Sequence, residues 1–193
     1  MKENEMDKKF LPLLEKIEAL LKKGDLVIAI DGGSASGKTT LAENLRNMFG
    51  ASVFHIDDFF LPKSRRTRER MAEIGGNIDR ERFLCEVLHP VCFKQDVLYI
   101  PYDCKEDKMK EPVRVPPKRL TIIEGAYSTH PVLAIYYDFT VFLDIDKDTQ
   151  RERILKRNTE EEAKRFFEEW IPKEDAFFVK TKAKSKCDLI IEI

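Results

Sequence analysis

Gly32-Gly33-Ser34-Ala35-Ser36-Gly37-Lys38-Thr39 stands between a short apolar, partly β-branched run at 26–30 (Leu-Val-Ile-Ala-Ile) and a helical pattern at 38–48. No other feature constrains the fold as tightly. In the spacing G-x-x-x-x-G-K-[ST], placed between a strand and a helix, the glycines let the backbone curl. Its N–H groups then point inward with a helix N-terminus behind them, which is a cradle for phosphate. At average composition the four fixed positions arise by chance in on the order of one chain in a hundred of this length, and the flanking elements make chance rarer still. Within such a loop Lys38 reaches the β- and γ-phosphates, the Thr39 hydroxyl ligates Mg²⁺ and Thr40 bonds the α-phosphate from the first helical turn. ATP and Mg²⁺ are therefore the expected cofactors.

Apolar runs like 26–30 recur at 52–56, 120–123, 140–143 and 188–191, each short enough for a strand buried on both faces of a parallel sheet. Helical patterns at 38–48, 80–88, 147–157 and 160–170 alternate with them, and Phe10, Leu13, Leu14, Ile17, Leu20 and Leu21 predict an amphipathic helix from about residue 7 to 23, closed by Gly24. The expectation is an α/β protein: a P-loop NTPase fold, three layers α/β/α, with a mainly parallel sheet and a helical lid. Over 1–193 it reads as a single kinase-type domain, with the N-terminal helix in 1–24, acceptor-side insertions in 59–118, and lid and C-terminal helices in 147–182. The insertions include an Arg-bearing stretch at 62–77 and a Lys-, Glu- and Pro-rich one at 102–117. Ligands in open α/β sheets bind outside the carboxyl ends of the strands, so acceptor specificity is expected in these loops.

Bulk composition excludes more than it names. The 34 basic and 35 acidic side chains leave a net charge of −1, without the basic field of a general nucleic-acid binder. The four cysteines lack C-x-x-C spacing, which predicts free thiols, and no apolar run approaches the roughly 18 residues of a membrane span. A cytoplasmic location and no membrane or nucleic-acid partner are expected; a homo-oligomer is left open. The scattered histidines predict no transition-metal site, and Phe166, Phe167, Trp170, Phe177 and Phe178 are expected in the core.

Three further groups carry candidate chemistry. Asp57, beside Asp58 just after the run at 52–56, is placed to accept the proton of an attacking hydroxyl. Glu124, at the end of 120–123, could hold Mg²⁺ or a water bound to it. Arg153 and Arg157, four apart on one helix face, could clamp charge on a transferred phosphoryl group.

With these residues assembled, the chain resembles the uridine kinase family, within the wider group that includes phosphoribulokinase and nicotinamide riboside kinase, from about residue 27 to 192. The loop at 32–39, Asp57-Asp58-Phe59-Phe60, Glu124-Gly125 and the Arg153/Arg157 helix are similar to that family's phosphate loop, base segment, Mg²⁺-associated Glu and lid. The resemblance implies ATP-dependent transfer of the γ-phosphate to a small-molecule hydroxyl, with a nucleoside first among acceptors. It also implies acceptor contacts from Asp57, Asp79, Tyr102 and Asp103. The His that follows Tyr-Asp in uridine kinases is replaced here by Cys104, and the lid runs into Trp170-Ile171-Pro172. A P-loop ATPase or nucleotide switch acting on a protein partner, and a kinase for a non-nucleoside alcohol or a sugar phosphate, are the alternatives.

Overall fold

Residues 8–193 are described by a computed structural model of the chain. Helix α1 (Leu11–Leu21) leads to β1 (Leu26–Gly32), α2 (Lys38–Phe49) and β2 (Ser52–His55). After tight 3-10 turns at Ile56–Phe59 and Lys63–Arg65 come α3 (Arg68–Ala72), α4 (Arg80–Phe83) and α5 (His89–Cys92), the last two joined by a π-helical turn at Leu84–Leu88. Four short strands follow, β3 (Val97–Tyr99), β4 (Tyr102–Asp103), β5 (Lys108–Met109) and β6 (Val113–Val115), and then β7 (Leu120–Glu124), α6 (Pro131–Ala134) and β8 (Phe139–Asp144). The chain closes with α7 (Lys147–Arg157), α8 (Glu160–Arg165), a second π-helical turn at Phe166–Trp170, α9 (Ile171–Thr181), α10 (Ala183–Lys186) and β9 (Leu189–Glu192).

The central sheet runs β2-β7-β1-β8-β9, every neighbouring pair parallel, while β3–β6 and β4–β5 form separate antiparallel pairs between α5 and β7. Its apolar runs bury both faces because helices cover both. Ile28 and Ile30 pack with Leu13 and Ile17 of α1 and with Leu41 and Leu45 of α2. Ala29, between them in sequence, points to the other face, where Phe54, Ile123 and Phe142 meet Phe83, Leu88, Leu133 and Phe177. Each such large side chain taken out of water contributes about 1.5–3 kcal/mol. The result is the three-layer α/β/α architecture that the alternation of runs predicts.

Three local expectations need correction. The N-terminal helix begins at Leu11 after a 3-10 turn at Lys8–Phe10, and the part expected on residue 7 lies outside the described residues. Gly24 is not a left-handed cap; the N–H groups of Lys22 and Lys23 return to Glu18 and Leu20 carbonyls and close the helix. The helices expected at 80–88 and 160–170 each widen into a π turn, and for the same reason. Each π turn ends two residues before a proline, Pro90 or Pro172. A proline has no N–H to donate and its ring crowds the carbonyl four residues back, so the helix loosens there instead of breaking. No helix among the described residues is long and apolar enough to cross a membrane.

Candidate active site

The loop between β1 and α2 is shaped by two glycines. Gly32 has φ +144°, and a Cβ there would lie 2.4 Å from the Leu143 carbonyl oxygen of the neighbouring strand; Gly37, at φ +93°, turns the chain into α2. Lys38 is buried, and its Nζ donates to the carbonyls of Gly32 and Gly33, both at 2.9 Å, so the ammonium is folded back over the loop. Ser34 is saturated by the lid. Its N–H and Oγ–H donate to the two carboxylate oxygens of Glu174 at 2.8 and 2.5 Å, and its carbonyl accepts from Gln150 Nε2 at 2.9 Å. The Glu174 oxygens stand in for anionic oxygens of a ligand: the loop already binds an anion through a backbone N–H. That is the chemistry a phosphate would use, and the residues present fit it.

Parallel register brings the next groups together. Glu124, last in β7, is level with His55, last in β2, and with Ile30, two residues before the end of β1, so the ends of β2 and β7 finish side by side next to the loop. Glu124 is buried; Thr39 Oγ1 donates to its Oε1 at 3.1 Å, and His55 Nδ1 lies 2.5 Å from the same oxygen. That hydrogen bond raises the His55 imidazole above its ordinary pKa, against the effect of burial. Thr39 and Glu124 thus offer two adjacent oxygen ligands of the kind Mg²⁺ takes together with phosphate oxygens. Asp57 opens into the cavity on one side and is crowded by protein on the others. This desolvation raises its carboxyl to about 6; the Lys38 ammonium opposes the shift, and the charges of Glu124 and Glu174 add to it. Asp58 turns elsewhere and accepts from Tyr99 OH at 3.2 Å.

Lys38, Thr39, Asp57, Glu124 and Glu174 line one cavity of ≈ 380 Å³. Ser34, Ala35, Gly37, Lys38, Thr39 and Thr40 form one wall, Asp57, Glu124 and Gly125 the floor, and Phe60, Lys63, Arg66, Met71, Asn77, Cys104 and Tyr127 contribute from the acceptor side. The lid supplies Arg157, Arg165, Phe166, Glu169, Trp170, Lys173 and Glu174. Arg153 is not on the cavity surface; its guanidinium donates to the Ala35 carbonyl at 3.2 Å, behind the loop.

The structure does not bring Asp79, Tyr102 and Asp103 to the cavity. Asp79 is fully buried, caps α4 through the Arg82 N–H and pairs with Arg65. Tyr102 OH donates to Asp107, and Asp103 holds the turn N–H groups of Lys105 and Glu106 and pairs with Lys110 at 3.4 Å. Their polar atoms are spent on the insertion itself. Phe166 packs partly on the buried cluster of Ile154, Ala163 and Ile171, as expected, and also lines the cavity; Trp170, expected in the core, lines the cavity instead, with the two ring centroids 4.4 Å apart, Arg157 over Phe166 and Arg165 over Trp170. Phe177 is buried as expected.

Sequence reasoning took Arg66 only as one of the arginines in the stretch at 62–77, and it passed over Glu174, Gln150 and His55. Only His55 carried a local signal, two residues before Asp57 at the end of its strand.

The chain aligns over 153 residues with a uridine kinase of Chlamydia pneumoniae at 29% identity, covering 68% of this chain and 62% of that protein. It aligns over 158 residues with uridine kinases of Staphylococcus aureus at 28% identity, covering 72% of this chain and 71% of theirs. The chain is similar to these uridine kinases over about 70% of its length. The match thus spans less than two thirds of the Chlamydia relative's length. Among solved structures, a candidate uridine kinase from Bacillus stearothermophilus superposes with a TM-score of 0.66 at 22% identity, over 94% of this chain and 100% of that one. A candidate fructose transport system kinase from a Silicibacter species gives 0.70 at 21%, over 92% and 98%. At those identities the superpositions establish the P-loop kinase fold. No family model matches the chain.

Proposed function

We propose that the protein transfers the γ-phosphoryl group of ATP to a hydroxyl of a small molecule. The observation that carries this reading is that Asp57 opens onto the same cavity as Lys38, Thr39 and Glu124. In-line transfer needs a phosphate cradle, a proton acceptor and positive charge near the phosphates, held in one place. The loop and Lys38 orient the phosphates. Asp57 accepts the proton of the acceptor hydroxyl as its oxygen bonds to the γ-phosphorus and the bond from phosphorus to the ADP oxygen breaks. Arg157 meets the charge of the transferring group from the lid, and Arg153 steadies the loop from behind through Ala35. A Mg²⁺ ion entering with the nucleotide would be held by Thr39 and Glu124, and it supplies neutralising charge. The names of the relatives bring a nucleoside forward as the first acceptor class to test.

The test is ADP release by the purified protein with ATP and Mg²⁺, with and without uridine, a vitamin alcohol or a sugar phosphate, beside Lys38→Ala. Release should depend on an acceptor and disappear in Lys38→Ala, which removes the phosphate-binding ammonium. Equal release with no acceptor present would point to an ATPase or switch and sink the phosphotransferase reading.

A further inference from the structure

Four arginines stand in the stretch 65–70, and the structure sorts them. Arg65 pairs with buried Asp79. Arg70 is matched by Glu81 at 2.8 Å and Glu73 at 3.5 Å, and also donates to the Gly76 and Ile78 carbonyls. Arg68 sits exposed on α3. Arg66 differs from all three. It is half-buried and lines the cavity; no carboxylate is within ion-pair distance of it among the described residues, the acid that feels its charge being Glu169 across the same cavity. Its Nε donates to the Leu61 carbonyl at 2.7 Å, which fixes the plane of the guanidinium. Lys63, three residues earlier, lines the same wall, loosely engaged with Asp107 at 3.7 Å. The remaining acceptor-side lining, Phe60, Met71, Asn77, Cys104 and Tyr127, contains no acid. Cys104, Arg66 and the proton acceptor Asp57 line the same cavity.

A guanidinium held in a fixed plane, facing a cavity with no carboxylate in ion-pair contact, can receive a planar or tetrahedral oxyanion through two parallel N–H bonds. Asp79, Tyr102 and Asp103, which the resemblance to uridine kinases would assign to a nucleoside, are engaged with the protein itself. We infer that the acceptor is an alcohol bearing an anionic group, a phosphate monoester or a carboxylate, which Arg66 binds with Lys63 beside it while the hydroxyl meets Asp57. This inference rests on the phosphotransferase reading and names the substrate class for that site.

The test fills the phosphate loop with a non-hydrolysable ATP analogue and Mg²⁺, then titrates ribose 5-phosphate, gluconate or uridine calorimetrically into the parent, Arg66→Gln and Arg66→Lys. At least one anionic probe should bind, and Arg66→Gln should weaken it by about 10- to 100-fold. Arg66→Lys should recover part of that loss, since it keeps the charge without the fork. Whichever of the two anionic probes responds identifies phosphate or carboxylate as the source. If neither binds in an Arg66-dependent way, or if uridine binds more tightly than both and ignores the substitution, the inference is overturned. ADP release from the same mixtures with ATP separates the two readings. Arg66-dependent binding without release from any probe counts against phosphotransfer while leaving the anion site standing. Release on uridine that is indifferent to Arg66 keeps phosphotransfer and removes the anion site.

Discussion

On the nucleotide wall of the cavity, the phosphate-facing groups come from one eight-residue loop and from strand ends that the sheet holds level. On the acceptor wall Lys63, Arg66, Asn77 and Cys104 come from separate stretches of two insertions and meet only because those insertions fold over the strand ends. The first wall is a backbone device: its N–H groups and glycine conformations are set by adjacent residues, whatever the rest of the chain does. The second is a side-chain device. Which of its polar groups face the ligand depends on which find partners in the insertion first, and so Arg66 is left for the cavity while Asp79 is not. Substitutions that separate the walls should therefore behave differently: on the first wall chemistry or nucleotide binding changes, on the second acceptor binding or local stability.

The largest effect is expected at the floor where the walls meet. Asp57→Asn keeps the shape but cannot take a proton, so single-turnover transfer at saturating ATP and acceptor should slow by roughly 10²–10⁴-fold while ATP binding barely moves. Asp58→Asn should cost much less, because Asp58 is turned toward Tyr99. Since crowding by protein around its cavity-facing carboxyl raises Asp57 to about 6 and the base must be ionised, kcat/KM of the parent should fall about tenfold per pH unit below 6 and level off above it. The Asn variant should lose that limb. Parent-rate transfer by Asp57→Asn with a dead Asp58→Asn would place the base one residue later.

This asymmetry also explains what could be read in the sequence. The five sheet strands, α2, α7 and the loop at 32–39 were legible because a buried parallel strand and a glycine turn each write a local signature. Glu124 was legible as the last residue of such a strand. Glu174 was not, because it reaches Ser34 across 140 positions from a helix whose own pattern shows only burial. The cavity-facing position of Trp170 was not legible either, because a π turn before Pro172 shifts the face that a residue occupies without changing its spacing. Asp79, Tyr102 and Asp103 were placed by family likeness, and nothing local shows that Arg65, Asp107 and Lys110 would claim them.

A smaller effect is expected where the lid touches the nucleotide wall. Glu174 is buried, with both carboxylate oxygens on Ser34, and its charge is of the same sign as the phosphates the loop would hold. Glu174→Gln keeps a group of the same shape that can still accept from Ser34 while removing that charge. In a partly desolvated site this should tighten ATP binding about 5- to 10-fold, on the order of 1 kcal/mol. The Asp57 limb should also move down in pH, since Glu174 contributes to its raised carboxyl. Equilibrium binding of ATP at several salt concentrations checks the first, and the pH profile the second. Weaker ATP binding by the Gln variant would mean that the carboxylate holds Ser34 in its working position and does not compete with the ligand, and the two walls would then share the lid as a structural part.

The smallest effect, and the sharpest for the acceptor wall, is expected at Asp79. The resemblance to uridine kinases implies that this carboxylate touches the acceptor; its burial, its cap on α4 and its pairing with Arg65 assign it to the insertion. Asn caps helices about as well as Asp, so Asp79→Asn should lose mainly the pairing with Arg65, whose side chain is 54% exposed and partly screened by solvent. A cost of about 1 kcal/mol is expected, lowering Tm by about 2–4 °C for a chain of this size. The acceptor KM should stay within about twofold, because the loss of a group that touches no ligand removes no binding. Thermal unfolding and acceptor kinetics on the same preparation give both numbers. Should the acceptor KM rise tenfold or more with Tm unchanged, Asp79 would have to leave Arg65 when the acceptor binds, and the acceptor wall would then be assembled by its ligand and not by the insertion alone.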